Sequence, residues 1–300
     1  IRVVCQVCHP WRIAMNAPRT WNGLDIVLPV YNEELPIVHE ALDKLAQVFS
    51  NMPDVTIIVV NDGSDKSFGL DSLAHCDGIL YCEHEENRGY GAALKTGILA
   101  GRAPWIAIVD ADGTYPIEEL PKLLAQMEKH DMVIGARTGP VSEIPRLRRF
   151  PKSMLNLFAS LMAGVFIPDL NSGMRVFSRQ LCYYLWGFFP AGFSFTSTLT
   201  MGAQMGGFRT KNVPINYYKR SGQSSIRPVH DTIRFFRIVC RLGLIFYPMK
   251  LFAPVAVLLF AVGFVKAVFR DYWLIGTIGA TSQTTMLAGL ADAPFATRSR

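Results

Sequence analysis

The chain has 300 residues, of which 50% are hydrophobic, and its mean hydropathy of +0.22 is high for a protein without membrane contact. This length accommodates one or two domains with a sizeable core. The formal net charge of +6 favours anionic partners such as phosphorylated ligands or an anionic membrane surface, and because no basic segment interleaved with aromatic residues is visible, we expect no nucleic-acid partner.

Strand and helix patterns alternate through the first half of the chain. Apolar and β-branched runs predict strands over residues 24–30, 55–60, 78–82, 105–109 and 131–136. Apolar residues at helical spacing predict helices that end near Phe49, Ala100 and Lys129. This alternation predicts an α/β fold with a mainly parallel sheet covered by helices.

Two aspartates follow the central predicted strand directly. Asp110 and Asp112 come after residues 105–109, and Gly113 allows a sharp turn. Ligands of open α/β sheets bind at the carboxyl ends of the strands, and Mg²⁺ is usually held by one or two carboxylates together with substrate phosphates. We hypothesise that this pair holds a metal ion, which in turn holds a nucleotide diphosphate. The alternative is a solvated turn, because Asp and Gly are common turn residues.

The glycines of residues 87–93 (NRGYGAA) match part of a dinucleotide-binding fingerprint. Leu94 stands where the third small residue of that fingerprint should be, and the segment follows the third predicted strand instead of the first. We therefore reject the interpretation of this chain as a dehydrogenase with a Rossmann dinucleotide-binding fold. The segment begins a helix, and its small residues suit a structural role as well as a functional one.

Basic and apolar residues dominate the later part of the chain. An apolar stretch over 154–167 suits either an interfacial amphipathic helix or ordinary core packing. A dense polar loop follows over 168–175, and a strand is predicted over 208–218. Residues 219–228 form a basic, hydroxyl-rich loop with the composition of a phosphate cradle; a solvated surface loop is the alternative.

The C-terminal region combines an amphipathic segment with uncharged ones. Residues 231–250 place arginines among apolar residues, which suits a helix lying on an anionic interface. With their flanks, the uncharged residues 251–265 approach the roughly 20 residues that cross a bilayer, whereas residues 272–291 are rich in threonine and make a weaker second span. We expect a transmembrane helix or a helical hairpin, with a buried helix pair as the alternative. Basic residues before the first span place the preceding domain on the cytoplasmic side of the cell membrane.

Six short motifs, singly weak, occur in an order that resembles the family-2 glycosyltransferases, and more closely the polyprenyl-phosphate glycosyltransferases, the group that includes dolichol-phosphate mannose synthase. They lie at residues 29–33 (PVYNE), 61–64 (NDGS), 87–91 (NRGYG), 110–112 (DAD), 135–137 (GAR) and 169–175 (DLNSGMR). The resemblance covers about residues 25–269. It implies a GT-A fold, a UDP- or GDP-sugar donor, Mg²⁺ or Mn²⁺ as cofactor, and a polyprenyl phosphate (undecaprenyl or dolichyl) as acceptor.

The sequence patterns and the resemblance together predict a division of the chain. Residues 1–20 are expected to be an irregular leader, and Met15 is a candidate for the native start. Residues 21–230 are expected to form the GT-A catalytic domain, 231–250 a juxtamembrane amphipathic helix, and 251–300 the transmembrane segment or segments and a tail. A homo-oligomer is left open, since exposed apolar helices pack on lipid or on each other.

On the donor side, the resemblance implies a nucleoside pocket and a metal site. The residues that would line the pocket are Pro29, Tyr31 and Glu33. Asp62 would touch the base or the ribose, and Asp110 and Asp112 would hold the metal ion on the donor diphosphate. Residues 113–115 (GTY) stand where some family members have a further metal-ligating side chain, so a third protein ligand is left open.

On the acceptor side, the resemblance implies phosphate contacts. Arg137 and Arg175 would grip the acceptor phosphate or the donor diphosphate, and Ser224 and Arg227 would close over the diphosphate. Asp169 is a candidate base, although a phosphate acceptor is already anionic at neutral pH and needs none. Because the acceptor attacks the anomeric carbon opposite the leaving group, the reaction is expected to invert the configuration there.

Other functions are weighed against this one. A processive polysaccharide synthase of the same superfamily carries a Gln-x-x-Arg-Trp motif, and a sugar-nucleotide pyrophosphorylase carries a glycine-rich N-terminal loop with arginine; neither is found in this sequence. Two alternatives remain open, namely a non-catalytic, membrane-anchored relative that binds nucleotide sugars and a family-2 enzyme with a different acceptor. The sequence leaves open the sugar, the nucleobase and the polyprenol.

Overall fold

A seven-stranded sheet forms the centre of the computed structural model, which describes residues 23–52, 54–76, 78–141, 146–192, 194–218, 228–250 and 252–269. The strand order is β3–β2–β1–β4–β6–β5–β7. The strands are β1 Leu24–Val30, β2 Val55–Asn61, β3 Ile79–Glu83, β4 Trp105–Ile108, β5 Met132–Ala136, β6 Arg175–Ser178 and β7 Thr210–Pro214. β6 runs antiparallel to β4 and β5, while the other pairs are parallel. The predicted mainly parallel α/β sheet is confirmed.

Helices cover both faces of this sheet. They are α1 Leu35–Val48, α2 Tyr90–Ala100, α3 Leu120–Leu124, α4 Arg146–Ala163, α5 Arg179–Tyr184, α6 Phe195–Met205 and α7 Pro228–Phe246. β1 shows how the two cores are divided, because Ile26 and Leu28 pack with α1 in one cluster whereas Val27 packs with α2 and α6 in the other. Alternate residues of a strand point to opposite faces, so the apolar residues of β1 serve both cores.

The structure differs from the predicted elements at residues 117–129 and at residues 175–178. The helix predicted to end near Lys129 is a 3₁₀ turn, Ile117–Glu119, followed by the short α3. Gln126 and Met127 donate their amides to the carbonyls three residues earlier, so the chain tightens and the apolar spacing reflects turns that bury Met127. β6 was not predicted at all, because only four residues, beginning with an arginine, form it.

The helix α4 covers most of the apolar stretch 154–167 and has a buried apolar side and an exposed apolar side. Leu155, Ala159 and Met162 are buried. Leu157 and Leu161 on another face are 62% and 66% exposed. Core packing therefore holds one side of the helix, and an apolar surface remains on the other.

The chain separates into two compact units, of which the first ends at Tyr247 and the second begins at Pro248. In the second unit, α8 Pro248–Phe269 has 22 residues and is long and apolar enough to cross a membrane by length and composition. The predicted leader 1–20 and the predicted second span 272–291 lie outside the described residues.

A buried ion pair ties the amino end of β1 to α5. The Arg179 guanidinium lies 2.5 Å from the Asp25 carboxylate and also donates to the carbonyls of Ala103 and Ile98 at 2.6 Å. The Ala103 amide donates to the same carboxylate at 2.8 Å. Each charge is therefore hydrogen-bonded as well as paired, which is the condition under which a buried pair is tolerated.

We expect Arg179→Ala to lower the free energy of unfolding by roughly 3–5 kcal/mol, because it leaves the Asp25 carboxylate buried without its counter-charge. Urea unfolding of the full chain in detergent, followed by circular dichroism, measures the change. Lys44→Ala is the matched control, since it removes an exposed pair with Glu40, and its unfolding midpoint should stay at the wild-type value. An unchanged midpoint in Arg179→Ala would contradict the assigned role of the pair.

Candidate functional site

The carboxyl edge of three adjacent strands collects the predicted donor-side residues. β1 lies between β2 and β4 and is parallel to both, so the segments that follow these strands emerge at the same edge. The structure therefore brings together residues 29–33, Asp62, Asp110 and Asp112, as the sequence predicts. Of the three residues predicted to line the nucleoside pocket, Tyr31 is 42% exposed, Pro29 is half-buried and Glu33 is buried.

The loops after β1 and β2 are fastened to each other through Asn32. The Asn32 amide donates to the Ser64 hydroxyl at 2.9 Å, and the Asp65 amide donates to the Asn32 side-chain oxygen at 2.9 Å. Asn32 has a φ of 51°, a left-handed conformation that Asn adopts more readily than most residues. This arrangement fixes the loop that carries the exposed Tyr31. Sequence reasoning missed the role of Asn32, although it lies in a predicted motif.

Asp62 is buried at the end of β2, where it organises the segment 87–93. Its carboxylate accepts hydrogen bonds from the amides of Arg88, at 3.0 Å, and Gly89, at 2.8 Å. His84 contacts the same carboxylate at 2.6 Å through one ring nitrogen and Thr96 through the other. Both carboxylate oxygens thus hold protein groups in place. The implied contact of Asp62 with base or ribose remains a prediction.

Neutral donors orient the two aspartates after β4. The Tyr90 hydroxyl donates to Asp110 Oδ1 at 2.8 Å, and the Thr114 amide and hydroxyl donate to Asp112 Oδ1 at 3.1 and 2.6 Å. Burial raises the pKa of Tyr90 well above its usual value, and the Asp110 carboxylate raises it further, so the phenol keeps its proton. Sequence reasoning gave neither Tyr90 nor Thr114 a role.

The two aspartates fit a hard divalent cation by their chemistry. Both offer carboxylate oxygens at the open end of a strand, and hydrogen bonds from Tyr90 and Thr114 orient the carboxylates. Among the described residues there is no group of three or more His, Cys, Asp or Glu side chains that could hold a metal ion. Mg²⁺ is usually held by one or two carboxylates together with substrate phosphates, and the binding of a metal ion by this pair remains a prediction.

Arg137 and Asp169 form a two-pronged ion pair beside this edge. Arg137 Nε and Nη2 donate to the two carboxylate oxygens of Asp169 at 2.7 and 2.9 Å, and the Asp169 side chain is fully buried. The Arg137 guanidinium also lies 5.1 Å from the centre of the Tyr217 ring. Burial lowers the pKa of Arg137, but Asp169 more than offsets it, so the pKa lies well above its usual value. The cation is permanent and its orientation is set.

Arg175 is fully buried beneath the site. Its guanidinium donates to the carbonyls of Ser172 and Thr196 and to the hydroxyl of Thr200. Burial lowers the pKa of Arg175 to about 10, so it stays charged at neutral pH. The guanidinium thus supports the turn before β6, and the implied phosphate contact remains a prediction. Ser224 and Arg227, which are predicted to close over the diphosphate, lie outside the described residues.

The turn that Arg175 supports lies against Asp110. A side chain at Gly173 would collide with the Asp110 carboxylate, so glycine allows this close approach without displacing that carboxylate. The Gly173 amide donates to the Tyr115 hydroxyl at 2.6 Å, and Tyr115 packs edge-on against Tyr217. Asp110 and the Arg137–Asp169 pair are therefore connected through Gly173, Tyr115 and Tyr217.

Comparison with known proteins agrees with this geometry. The domain described as glycosyl transferase family 2 matches residues 25–186. The chain is 31% identical to a dolichyl-phosphate hexose transferase of Haloferax volcanii, over 70% of this chain and 89% of the relative. It is 27% identical to an undecaprenyl-phosphate mannosyltransferase of Micrococcus luteus, over 67% of this chain and 86% of the relative.

Solved structures share the fold. Glucosyl-3-phosphoglycerate synthase from Mycobacterium tuberculosis, in complex with Mn²⁺, uridine diphosphate and phosphoglyceric acid, superposes with a TM-score of 0.57. The match covers 74% of this chain and 78% of that one at 20% sequence identity. At this identity the likeness concerns the fold, and the GT-A-type architecture implied by the sequence motifs is confirmed.

We expect Asp62→Asn to speed hydrogen exchange at the amides of Arg88 and Gly89 by roughly tenfold or more. An amide side chain accepts through only one oxygen, so one of the two backbone donors loses its partner at a cost of about 1–3 kcal/mol. Exchange of the full chain in detergent, measured by mass spectrometry on peptides that cover residues 86–92, tests this. Asp65→Asn is the control, since Asp65 caps only Ser67; wild-type exchange in Asp62→Asn would refute the assignment.

Proposed function

This chain belongs to glycosyl transferase family 2 and is a glycosyltransferase, and from that premise we propose that it transfers a hexose-type sugar from a UDP- or GDP-sugar to a polyprenyl phosphate, with inversion at the anomeric carbon. The observation that carries the proposal is the pair Asp110 and Asp112, oriented at the carboxyl edge of the sheet beside the loops of β1 and β2. The names of the Haloferax and Micrococcus relatives support the acceptor class.

The nucleoside of the donor would occupy the edge near Tyr31. The ring of Tyr31 is 42% exposed, and the loop that carries it is fixed by the hydrogen bonds of Asn32. An exposed, positioned aromatic ring offers a face on which a base stacks. Pro29 and Glu33 would complete this pocket. Asp62 already accepts the amides of Arg88 and Gly89. It would therefore contact the nucleoside next to the segment 87–93.

Asp110 and Asp112 would hold Mg²⁺ or Mn²⁺ against the donor diphosphate. When bound, such an ion supplies positive charge that stabilises the departing nucleotide diphosphate. Tyr90 and Thr114 keep the two carboxylates in place before the donor arrives, so little reorganisation accompanies the reaction. The solved neighbour with Mn²⁺ and uridine diphosphate supports a divalent ion.

Arg137 would contact the acceptor phosphate or the donor diphosphate. A guanidinium forms strong charge-assisted hydrogen bonds with phosphate oxygens, and this one keeps its charge and its orientation through Asp169. Because both oxygens of Asp169 are engaged by Arg137, we assign Asp169 to positioning Arg137 and not to proton transfer. Arg175, whose donors serve Ser172, Thr196 and Thr200, would support the turn that presses on Asp110.

The reaction then needs no protein base. A phosphate oxygen of the lipid, already anionic, forms the new bond to the anomeric carbon. The bond from that carbon to the diphosphate oxygen breaks on the opposite face, and the nucleotide diphosphate leaves with the electron pair. This chain contributes alignment of the two phosphates and positive charge where negative charge develops.

The surface of α4 suits a lipid-borne acceptor. Leu157 and Leu161 expose an apolar stripe, and the sequence before them is basic, as in helices that lie on anionic membranes. α8 adds a candidate span. We propose a cell-membrane protein with its catalytic domain on the cytoplasmic side.

We expect Asp112→Asn to reduce sugar transfer by roughly a hundredfold or more, because a neutral amide holds the cation poorly and several kcal/mol of charge stabilisation are lost. The assay combines full-length protein, a polyprenyl phosphate, labelled UDP- and GDP-sugars, and Mn²⁺ or Mg²⁺ against chelator. Asp43→Asn, an exposed aspartate on α1, is the control and should keep wild-type turnover.

Two outcomes of this assay count against the proposal. Near-normal turnover in Asp112→Asn, at an unfolding midpoint equal to that of the control, would remove the metal claim. Metal-dependent binding of a nucleotide sugar without transfer to any lipid phosphate would favour the non-catalytic relative instead.

We expect the product to be β-linked when the donor sugar is α-linked, because the lipid phosphate attacks opposite the leaving diphosphate. The one-bond carbon–hydrogen coupling at the anomeric position, measured by NMR on product made with ¹³C-labelled sugar, distinguishes the two configurations. The donor itself provides the α reference in the same experiment. An α-linked product would contradict the single displacement.

A further inference from the structure

In the reaction proposed above, the segment 87–93 acts only through the Tyr90 hydroxyl, yet the structure holds the whole segment in place from two sides. Asp62 accepts the amides of Arg88 and Gly89. On the other side, the Ala92 amide donates to the Ala191 carbonyl at 2.8 Å. Gly91 packs so closely on residues 190–192 that a side chain there would collide with their backbone. The first turn of α2 is therefore anchored by contacts that do not involve its own helix.

Tyr90 lies between the residues that make these contacts, and its side chain extends to Asp110. Its hydroxyl donates to Asp110 Oδ1 at 2.8 Å. The backbone of Gly173 crowds the other oxygen of the same carboxylate. The carboxylate is thus held from both sides, by a hydrogen bond from one loop and by close packing from another.

We propose that Tyr90 is a positioning residue whose hydroxyl fixes the Asp110 carboxylate for a divalent cation. The proposal rests on the proposed function, since it assigns the metal to Asp110 and Asp112. Groups that hydrogen-bond to metal-ligating carboxylates set the orientation of the ligand, and their loss typically costs 10–100-fold in metal affinity. This assignment gives the segment 87–93 the function of positioning a metal ligand. Asp62 holds the segment through the amides of Arg88 and Gly89, and the segment in turn orients Asp110 through the Tyr90 hydroxyl.

Tyr90→Phe tests the proposal, because it removes the hydroxyl and keeps the ring. Mn²⁺ binding is measured on full-length protein in detergent, with and without UDP or GDP, by the electron paramagnetic resonance signal of free Mn²⁺. We expect the Kd for Mn²⁺ to rise roughly tenfold or more. Transfer should recover most of the wild-type rate at saturating Mn²⁺, so that the loss lies in metal affinity and not in turnover.

Tyr247→Phe is the matched control. It removes the same atom from a tyrosine whose hydroxyl donates to the Met205 carbonyl at 3.3 Å, away from the carboxyl edge, and it should bind Mn²⁺ like the wild type. If wild-type protein binds no Mn²⁺ with either nucleotide, the proposed function fails. If the wild type binds and Tyr90→Phe binds equally well, the role of Tyr90 alone is overturned.

Gly173→Ala is a second variant that perturbs the Asp110 carboxylate. It tests the proposal even if Tyr90→Phe is unstable. The added methyl group collides with Asp110, so it should weaken Mn²⁺ binding although Tyr90 is present. Wild-type Mn²⁺ affinity in folded Gly173→Ala would overturn the claim that the orientation of Asp110 governs metal affinity.

Discussion

The constraint on which the structure depends is that negative charge at the edge of the sheet must be hydrogen-bonded to be held there. Asp62, Asp110 and Asp112 follow β2 and β4, in partly or fully buried positions. Removing a carboxylate from water without partners is costly. Asp62 and Asp110 accept hydrogen bonds from the segment 87–93, and Asp112 accepts them from Thr114 in its own turn. The donors also set the direction of each carboxylate. The requirements of stability and of a preorganised anionic edge are thus met by the same contacts.

The two arginines in the same region, Arg137 and Arg175, have different surroundings. Arg137 is paired with Asp169 and keeps part of its side chain exposed, so the pair fixes a cation at the surface of the site. Arg175 is fully buried, and its guanidinium donates hydrogen bonds to Ser172, Thr196 and Thr200. Both arginines lie in motifs that resemble those of one family, yet their surroundings suit one to phosphate contact and the other to support.

The sequence predicted the strands and the edge well, because long apolar runs and acidic residues after them are local signals. Trp105 to Val109 and the two aspartates behind them could be recognised without a structure. The pairing of Arg137 with Asp169, 32 residues away, could not, since residue spacing says nothing about a contact between two loops. Tyr90 carried a weak signal through its glycine-rich motif, whereas Tyr217 carried none.

The antiparallel strand β6, which the sequence did not reveal, explains how the loop before it reaches the site. A parallel strand would begin at the opposite edge of the sheet, and the loop would be delivered there. Because β6 runs against β4 and β5, Arg175 at its start is paired with Ile108 and Ile134, near the ends of those two strands. Residues 169–174 therefore arrive at the carboxyl edge, where Asp169 meets Arg137 and Gly173 meets Asp110. One reversed strand thus lets elements from both halves of the family domain meet at one edge of the sheet.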